Sequence, residues 1–302
     1  MKMRFSGQLA LVIVVLGLGW EVPAQGQTFS VLYDLGTNTG DPYSPNYSGI
    51  VAQGRDGRMF STALGGSTGA GAMFKITPGG TLVPYSFDST NSGPYLPYSG
   101  LTLGADGNFY GTTNAGGASG MGTVFKIMPS GTVTVLHSFA GGSDGGYPWA
   151  PPIQGTDGNF YGTTCANLPD CGTVYKITPS GKFRTLYLFD YTHGYCPVAP
   201  LVQGTDGNFY GTTTEGGSSF SFGVVYKITP SGKFTVIYKF NGGDGSQPFG
   251  PLVQGSDGNF YGTTSVGAPR KVEWSSRSPR LAILPSSITS MGLPMDSAPL
   301  PV

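Results

Sequence analysis

"GTDGNFYGTT" spans Gly155–Thr164, and nearly the same ten residues begin again at Gly104, Gly204 and Gly255. A more divergent copy, "GRDGRMFSTA", begins at Gly54. The five copies share an aspartate at intervals of 50, 51, 49 and 51 residues: Asp56, Asp106, Asp157, Asp206 and Asp257. A fixed period of about 50 residues is typical of a repeat architecture, in which each unit packs on its neighbours.

Each unit contains four short segments rich in residues that favour β-strands. In the third unit they are "PPIQG" from Pro151, "NFYGTT" from Asn159, "GTVYKIT" from Gly172 and "KFRTLYLF" from Lys182. All four have the length of a strand, and the Tyr, Phe, Val and Thr that dominate them are enriched in strands. The sequence therefore predicts an all-β protein with four strands in each unit.

Two tight turns recur along the units. Asp157-Gly158 separates the first two segments, and an Asp-Gly pair suits a two-residue type I′ hairpin, in which both central residues have positive φ. The turn "TPSG", Thr178–Gly181, separates the last two segments. There, proline presets the first turn angle and glycine takes the left-handed position that follows. We expect two β-hairpins per unit.

Four antiparallel strands in about 50 residues make one blade of a β-propeller, and this is the fold that we expect for residues 28–264. An open β-solenoid is the alternative, but radial closure protects sheet edges and a hairpin meander suits a blade. The repeats predict five blades, of which the last is incomplete. Thr28–Leu35 matches the fourth strand of a unit, so we expect it to complete that last blade.

The first 24 residues have the pattern of a signal peptide. Lys2 and Arg4 supply a positive start, Leu9–Leu18 an apolar run, and "VPA" at 22–24 a small-residue cleavage site. The apolar run is short for a membrane span. We therefore expect cleavage after Ala24, no membrane span in the mature chain, and a secreted or cell-surface location; a retained anchor is the alternative.

Composition argues against some classes of function. The chain has 302 residues, of which 11% are charged, and its formal net charge is zero. Fifty-one glycines and 24 prolines suit a turn-rich fold, and the glycines follow no three-residue period, which excludes collagen. Without a basic patch to follow a phosphate backbone, we expect no nucleic-acid partner.

The pattern "GTDGNFYGTT…GTVYKITPSGKF", within residues 155–183, resembles the GloVer tandem-repeat family of exported bacterial proteins. The resemblance covers residues 29–264 and is specific because it recurs. It implies secretion and often a C-terminal surface anchor of variable type, and it implies no known catalytic activity. Kelch repeats share the period, but the glycine doublets of this chain are not followed by the aromatic residues expected of kelch repeats.

Strand order sorts the loops into two sets. In a four-stranded meander the first and third connections leave one face of the disc, and the second and fourth leave the other. The tight turns are the first and third, so all variable loops share one face, where binding is usually found. In the fourth connections aromatic residues lie beside proline, and we predict that they bind ligand by stacking on sugars: Tyr43, Tyr47, Tyr95, Tyr98, Tyr147, Trp149, Tyr195 and Phe249. Packing between blades is the alternative role for these rings.

The inventory of catalytic groups is poor. His137 stands at a fourth-strand position where other units have tyrosine, which indicates a packed residue, and His193 lies in a variable loop. No Ser/His/Asp set, metal-ligand spacing, cofactor motif or phosphate loop is found, so we predict no catalytic residue, no metal site and no cofactor. Asp144, Asp190 and Asp244 lie in fourth connections, where they could help bind calcium but are better explained as turn formers.

Cys165 and Cys171 flank the loop "CANLPDC", where other units have glycine-rich sequence. In an exported protein we predict a disulfide across this loop, which requires a short Cα–Cα separation. Cys196, in the next variable loop on the same face, would then be left over. A metal site built from the three cysteines is the alternative, although their spacing fits no standard zinc motif.

The repeat pattern stops after Thr264. A shifted reading frame takes each new codon from the third base of one residue and the first two bases of the next. In that frame the codons of residues 271–281 are compatible with "GGVVFKITPSG", which is the missing third strand and its turn. We therefore expect residues 265–302 to be a frameshifted and disordered tail, since they are rich in Ser and Pro and lack partner strands. A divergent C-terminus is the alternative.

Three classes of function remain. We favour an exported, non-catalytic propeller that binds a carbohydrate or a surface protein, or serves as a cell-surface scaffold, through its variable-loop face. An enzyme that acts on polysaccharide, as a lyase or hydrolase, is the second class. A purely structural surface repeat is the third. The fold alone does not choose among them.

Overall fold

The computed structural model describes residues 31–39, 41–45, 51–87, 93–165, 171–217, 221–266 and the backbone of 281–283. Within these residues the protein is all β apart from one 3₁₀ turn, Gly142–Asp144. The strands form four four-stranded antiparallel sheets and a fifth, incomplete one, which confirms the predicted fold of four-stranded blades. In this part of the chain no helix has the length and apolar character needed to cross a membrane.

The four complete blades follow one another along the chain. Blade I contains β1 (Ala52–Gln53), β2 (Met59–Ala63), β3 (Ala72–Ile76) and β4 (Leu82–Ser86). A short loop pair, β5 (Pro94–Tyr95) with β8 (Ala115–Gly116), flanks blade II, which contains β6 (Thr102–Leu103), β7 (Phe109–Thr113), β9 (Thr123–Ile127) and β10 (Val133–Ser138). Blade III contains β11 (Ile153–Gln154), β12 (Phe160–Thr164), β13 (Thr173–Ile177) and β14 (Phe183–Leu188). Blade IV contains β15 (Val202–Gln203), β16 (Phe209–Thr213), β17 (Val224–Ile228) and β18 (Phe234–Lys239).

Blade V begins like the others, with β19 (Val253–Gln254) and β20 (Phe260–Gly262). Its third strand, β21 (Leu281–Ile283), runs parallel to β20, whereas the complete blades place an antiparallel strand there. The expectation that the tail lacks a partner strand was wrong for these three residues, because a β-forming segment pairs with the open edge of β20. Residues 267–280 and 284–302, like residues 1–24, lie outside the described residues, and the frameshift stays a prediction.

The repeated "GTDGN" is a three-residue hairpin, so the predicted two-residue type I′ turn was wrong. In blade III the Gly155 N–H donates to the Asn159 carbonyl at 2.8 Å, and the Gly158 N–H donates to the Gly155 carbonyl at 2.9 Å. Gly158 alone takes a positive φ, 79°. Asp157 stays out of the left-handed region, and its carboxylate accepts the Asn159 N–H at 3.1 Å. This is a type I turn closed by a glycine bulge.

The turn "TPSG" has the same construction. The Gly181 N–H donates to the Thr178 carbonyl at 2.9 Å, and Gly181 has a φ of 91°. The predicted left-handed glycine is therefore confirmed here. Both turns leave the same end of the blade, which makes that end short and uniform.

Successive blades pack through stacked aromatic rings from the repeated "NFYG". The tyrosine of one blade stacks on the phenylalanine of the next with ring centroids 3.8 to 4.0 Å apart: Tyr110–Phe160, Tyr161–Phe209 and Tyr210–Phe260. Blade I carries Phe60 in the tyrosine position, and it stacks on Phe109 at 4.0 Å. All of these rings are buried, so the repeated residues form the core between blades.

A side-chain hydrogen bond also joins neighbouring blades at the turn end. The Gln154 side-chain carbonyl accepts the Ala105 N–H at 2.7 Å, and Gln203 accepts the Thr156 N–H at 2.9 Å. Gln254 repeats the contact with Thr205 at 2.9 Å. The same short sequence therefore encodes a hairpin and its contact with the next blade, which explains why it varies so little.

The predicted closing strand, Thr28–Leu35, is described only from residue 31, and residues 31–35 form no strand. The Leu32 carbonyl lies against Gly80, 2.7 Å from the position that a Cβ atom would occupy. Two outer strands make the same contact with the blade that follows them. The Leu136 carbonyl lies 3.0 Å from the position of a Cβ atom at Gly181, and the Leu186 carbonyl lies 3.0 Å from that position at Gly232. Leu32 therefore stands beside blade I where an outer strand would lie, and its pairing with the last blade stays a prediction.

Candidate functional site on the variable-loop face

The variable-loop face consists of the second and fourth connections of the blades. Strands within each sheet are antiparallel and follow chain order, so these connections leave one end while the tight turns leave the other. Turns on the tight end are nearly identical between blades. Differences between blades are therefore concentrated on the variable-loop face, where a ligand could be recognised.

One residue in each fourth connection adopts the left-handed conformation directly before a proline. We call these five the anchor residues, and their φ angles lie between 53° and 55°: Ser44, Leu96, Tyr147, Cys196 and Gln247. A non-glycine residue in this region costs roughly 1–2 kcal/mol. Because the conformation recurs at the same position in every unit, it belongs to the architecture and not to a single site.

Backbone hydrogen bonds hold four of the five anchor residues between two second connections, and Ser44 is held on one side, where its carbonyl accepts the Leu64 N–H at 3.1 Å. The Tyr147 N–H donates to the Met121 carbonyl at 2.8 Å, and the Tyr147 carbonyl accepts the Cys165 N–H at 3.2 Å. Cys196 repeats this arrangement with Cys171 at 3.0 Å and Thr214 at 3.3 Å. The fourth connections are therefore rigid parts of the contact between blades, and they present their other residues on a fixed frame.

The disulfide joins Cys165 to Cys196, so the predicted Cys165–Cys171 bridge was wrong. The bonded residues have Cα atoms 4.3 Å apart and are 31 residues apart in the chain. Cys196 is an anchor residue and is inserted beside Cys165, a neighbour that sequence proximity does not reveal. Cys171 is buried just before β13, where its carbonyl accepts the Cys196 N–H.

Two of the predicted ligand-binding rings meet across blades. Tyr98 and Trp149 each follow an anchor proline by one residue, and their ring centroids are 5.0 Å apart with an interplanar angle of 26°. Both side chains are half-buried. Their contact is the packing between blades that is the alternative role for these rings, and stacking on a ligand stays a prediction.

Three further predicted residues stand in separate loops and are exposed. Tyr43, Tyr95 and Phe249 have 51%, 39% and 55% of their surface accessible. Tyr43 lies over Gly65, and a Cβ atom at that glycine would overlap its ring. Tyr95 lies in β5, where it pairs with Ala115. The structure does not bring these three rings into one cluster.

The remaining predicted residues are less accessible. Tyr147 and Tyr195 are half-buried, and Tyr47 lies outside the described residues. The Tyr195 ring is 5.7 Å from that of Tyr191, and burial, together with the nearby charge of Glu215, raises the pKa of Tyr195. Tyr191 was missed from the sequence, because only aromatic residues beside proline were considered.

The exposed aromatic side chains of the described residues all lie in fourth connections: Tyr43, Tyr95, Tyr191 and Phe249. The many other rings in this part of the chain are buried or half-buried. A fold that buries its rings so consistently leaves these four in water on one face only. Some other exposed apolar side chains, among them Met128, Val135 and Ile237, lie in tight turns or strands, so only the exposed aromatic rings are confined to this face.

The loop aspartates are engaged by neighbouring side chains. Asp144 bonds His137 Nε2 at 3.0 Å, and Asp244 accepts the Tyr238 hydroxyl. Asp190 bonds His193 Nδ1 at 2.7 Å. His137 also stacks on Phe183 at 3.7 Å, which confirms that it is a packed residue. Among the described residues, no three His, Cys, Asp or Glu side chains are grouped as metal ligands.

These features define a tandem-repeat β-propeller with a uniform turn end and a variable-loop face. The model of the Gloeobacter/Verrucomicrobia repeat matches residues 16–144 and 46–273, and the chain belongs to this family. The resemblance seen in the repeated sequence is therefore confirmed. A search of curated protein sequences found no match.

Solved structures support the fold. Virginiamycin B lyase from Staphylococcus aureus is similar with a TM-score of 0.51 and 20% identity, over 70% of this chain and 61% of that one. A streptogramin B lyase structure is similar with a TM-score of 0.52 and 18% identity, over 76% of this chain and 64% of that one. The chain thus spans less than two thirds of either length, and at these identities the likeness shows the propeller fold alone.

Proposed function

We propose that the protein is an exported, non-catalytic propeller that binds polysaccharide through its variable-loop face. The observation that carries the proposal is the placement of the exposed rings Tyr43, Tyr95, Tyr191 and Phe249 in fourth connections. Aromatic side chains combine a large apolar face with few rotatable bonds, which suits stacking on the apolar faces of sugar rings.

The anchor residues support this role. Four of the five hold their loops by backbone hydrogen bonds on both sides, so the exposed rings start from a fixed frame. A pre-organised surface loses little conformational entropy when it binds, and this favours affinity for a weakly held, repetitive ligand. The repeat along the chain would match such a ligand with successive, similar contacts.

Two observations support export. The pattern of residues 1–24 is that of a signal peptide, and the Cys165–Cys196 disulfide suits an oxidising compartment. The chain belongs to the Gloeobacter/Verrucomicrobia repeat family, and its resemblance to exported bacterial repeat proteins agrees with both observations. We place the mature protein outside the cell or at its surface.

Glycan binding by the full chain, before and after loss of exposed rings, tests the proposal. The paired variant Tyr95→Ala and Phe249→Ala should bind about tenfold more weakly, the effect of about 1.5 kcal/mol of stacking. Ile237→Ala is the matched control, because Ile237 is similarly exposed, at 39%, on the outer strand β18. A glycan array would identify the ligand, and titration calorimetry would measure the loss.

Three results would contradict the proposal. Equal loss in the Ile237 variant would show that the rings have no special role. Unfolding of the paired variant would assign the rings to packing between blades. Cleavage of the bound glycan would show that the face belongs to an enzyme and not to a binding protein.

A further inference from the structure

The outer strands of blades III and IV border an open cleft of about 590 Å³. We call it the rim cleft. Its lining includes Tyr187 from β14, His193 from the following connection, and Phe234, Val236 and Lys239 from β18. None of these residues was among the predicted ligand-binding residues, and the cleft is distinct from the exposed rings described above.

Comparison of the repeats shows which residues correspond to His193. Gly145, Gly194 and Gly245 are equivalent, because each packs against a threonine of the next blade, namely Thr164, Thr213 and Thr264. The residue before each glycine is Asp144 in blade II, His193 in blade III and Asp244 in blade IV. Blade III thus carries a histidine where both neighbours carry an aspartate.

In the neighbouring blades this aspartate ties the loop to the outer strand. Asp144 bonds His137 Nε2 at 3.0 Å, and Asp244 accepts the Tyr238 hydroxyl. His137 and Tyr238 each lie two residues before a buried phenylalanine, and Tyr187 holds this position in blade III. The repeat therefore places a carboxylate against the residue at this position in two blades.

Blade III lacks a carboxylate at the position of His193. It carries one at Asp190, where blades II and IV have Ala140 and Asn241. His193 is turned to Asp190, with its Nδ1 at 2.7 Å from one carboxylate oxygen and 2.9 Å from the other. The Tyr187 hydroxyl forms no hydrogen bond to any described residue, while its ring stacks on Phe234 at 3.7 Å. A hydrogen-bond donor thus faces the place where the other blades put an acceptor.

The rim cleft also has an added positive charge. Lys239 ends β18, whereas the equivalent residues are Leu188 in blade III and Ser138 in blade II. The Lys239 ammonium donates to the Thr192 carbonyl at 3.4 Å, and it makes no ion pair with a carboxylate of the described residues. Relative to blades II and IV, the loop of blade III keeps one carboxylate, Asp190, which is bonded to His193, and Lys239 adds one positive charge beside it. Burial and the charge of Asp190 raise the pKa of Tyr187.

We propose that the rim cleft binds the carboxylate group of an acidic sugar, which takes the place held by Asp144 and Asp244 in the neighbouring blades. Lys239 supplies the opposite charge and the Tyr187 hydroxyl donates a hydrogen bond. His193 stands where blades II and IV carry an aspartate, and its ring holds the Asp190 carboxylate by a hydrogen bond. The stacked rings of Tyr187 and Phe234 form the apolar wall. That a sugar carries the carboxylate rests on the proposed function; the preference for a carboxylate rests on the comparison of the blades.

Titration calorimetry of the full chain with oligogalacturonate, and with its neutral methyl ester as the matched ligand, tests the inference. The wild-type protein should bind the acid and not the ester. Lys239→Leu, which introduces the residue of blade III, should weaken binding about tenfold. His193→Asp should abolish binding, because the new carboxylate would occupy the place beside Tyr187. Lys233→Leu, at an exposed turn of the same blade, should leave binding unchanged.

The double variant Asp190→Asn with His193→Asp, which installs both residues of blade IV, should lose binding and keep the melting temperature of the wild-type protein, and this separates loss of binding from loss of folding. Failure of the wild-type protein to bind the acid, equal binding of the ester, or equal binding of polyglutamate would overturn the inference. Binding of neutral glycans that is lost in the paired Tyr95 and Phe249 variant, without binding of the acid, would preserve the proposed function alone. Binding of the acid that survives in the paired variant but not in His193→Asp would preserve the rim cleft alone.

Discussion

Replacement of Tyr175 and Tyr226 by phenylalanine should stabilise the protein. Both side chains are fully buried in third strands, and neither hydroxyl has a hydrogen-bond partner. Burial raises the pKa of both phenols, so they stay neutral under all ordinary conditions. At the equivalent position, blades I and II carry Phe74 and Phe125. The repeat itself thus provides the apolar alternative.

The magnitude follows from the surroundings of each hydroxyl. A buried polar group without a partner costs about 1–3 kcal/mol. Each hydroxyl lies over a glycine of the adjacent strand, Gly162 or Gly211, so its removal leaves a small void that offsets part of the gain. We expect about 1 kcal/mol for each substitution. The two tyrosines belong to separate core clusters, so the double variant should gain about 2 kcal/mol.

Thermal and urea unfolding of the full chain would measure the effect. A gain of 1 kcal/mol corresponds to about 2–4 °C in Tm for a domain of this size. The reverse substitution, Phe125→Tyr, places a hydroxyl over Gly111 in the same surroundings and should lower stability by about 1–3 kcal/mol. A lower Tm for either Tyr→Phe variant, or a neutral Phe125→Tyr, would refute the reasoning.

Three further predictions concern the bridge, acid stability and the gene. Peptide mapping without reductant should find Cys165 linked to Cys196, and a Cys165–Cys171 peptide would disprove the pairing. Serine at both bonded positions should lower the free energy of unfolding by about 3–4 kcal/mol for this loop length. Burial raises the pKa of Asp157, but hydrogen bonds from Lys176 and neighbouring residues outweigh it, and the pKa is lowered. The ionised Asp157 carboxylate therefore stabilises the folded state above the pKa of about 4 that it has in the unfolded chain, and this stabilisation is lost as pH falls further. Asp157→Asn should reduce the loss of unfolding free energy between about pH 7 and pH 2, and an unchanged pH profile would contradict this. Sequencing of the gene from codon 255 onward should reveal an inserted or missing base near codon 266, and an intact frame without restorable repeats would disprove the frameshift.

The fold was largely predictable because its signals are local and repeated. Strand-length segments, turn residues and the 50-residue period together predict four-stranded blades, and the structure confirms them. The turn type at Asp157-Gly158 was not predicted correctly. An Asp-Gly pair suits both hairpin types, and the choice depends on a contact between the Asp157 carboxylate and the Asn159 N–H that the dipeptide alone does not indicate.

The site was less predictable because it depends on contacts between blades. Nothing in "CANLPDC" indicates that an anchor residue from a later loop lies beside Cys165. The stacking of Tyr98 on Trp149 likewise requires the geometry of two neighbouring loops. Alignment of the units against one another would have found a different signal, namely the change from aspartate to histidine at residue 193.

In a repeat protein, recurrence and departure from the repeat support different conclusions. A left-handed residue before proline would suggest a strained functional site if it occurred once, but at Leu96, Tyr147 and three other positions it shows how blades are joined. Departures from the repeat need another explanation. The bonded Cys165 and Cys196, together with His193 and Lys239, lie in blade III or at its border with blade IV, and His193 stands where blades II and IV carry an aspartate. Departures also occur in other units, since Phe60 in blade I and His137 in blade II each stand where other units have tyrosine. The reason to look for recognition at the rim cleft first is that His193 and Lys239 lie there together with the Tyr187 hydroxyl, to which no described residue forms a hydrogen bond.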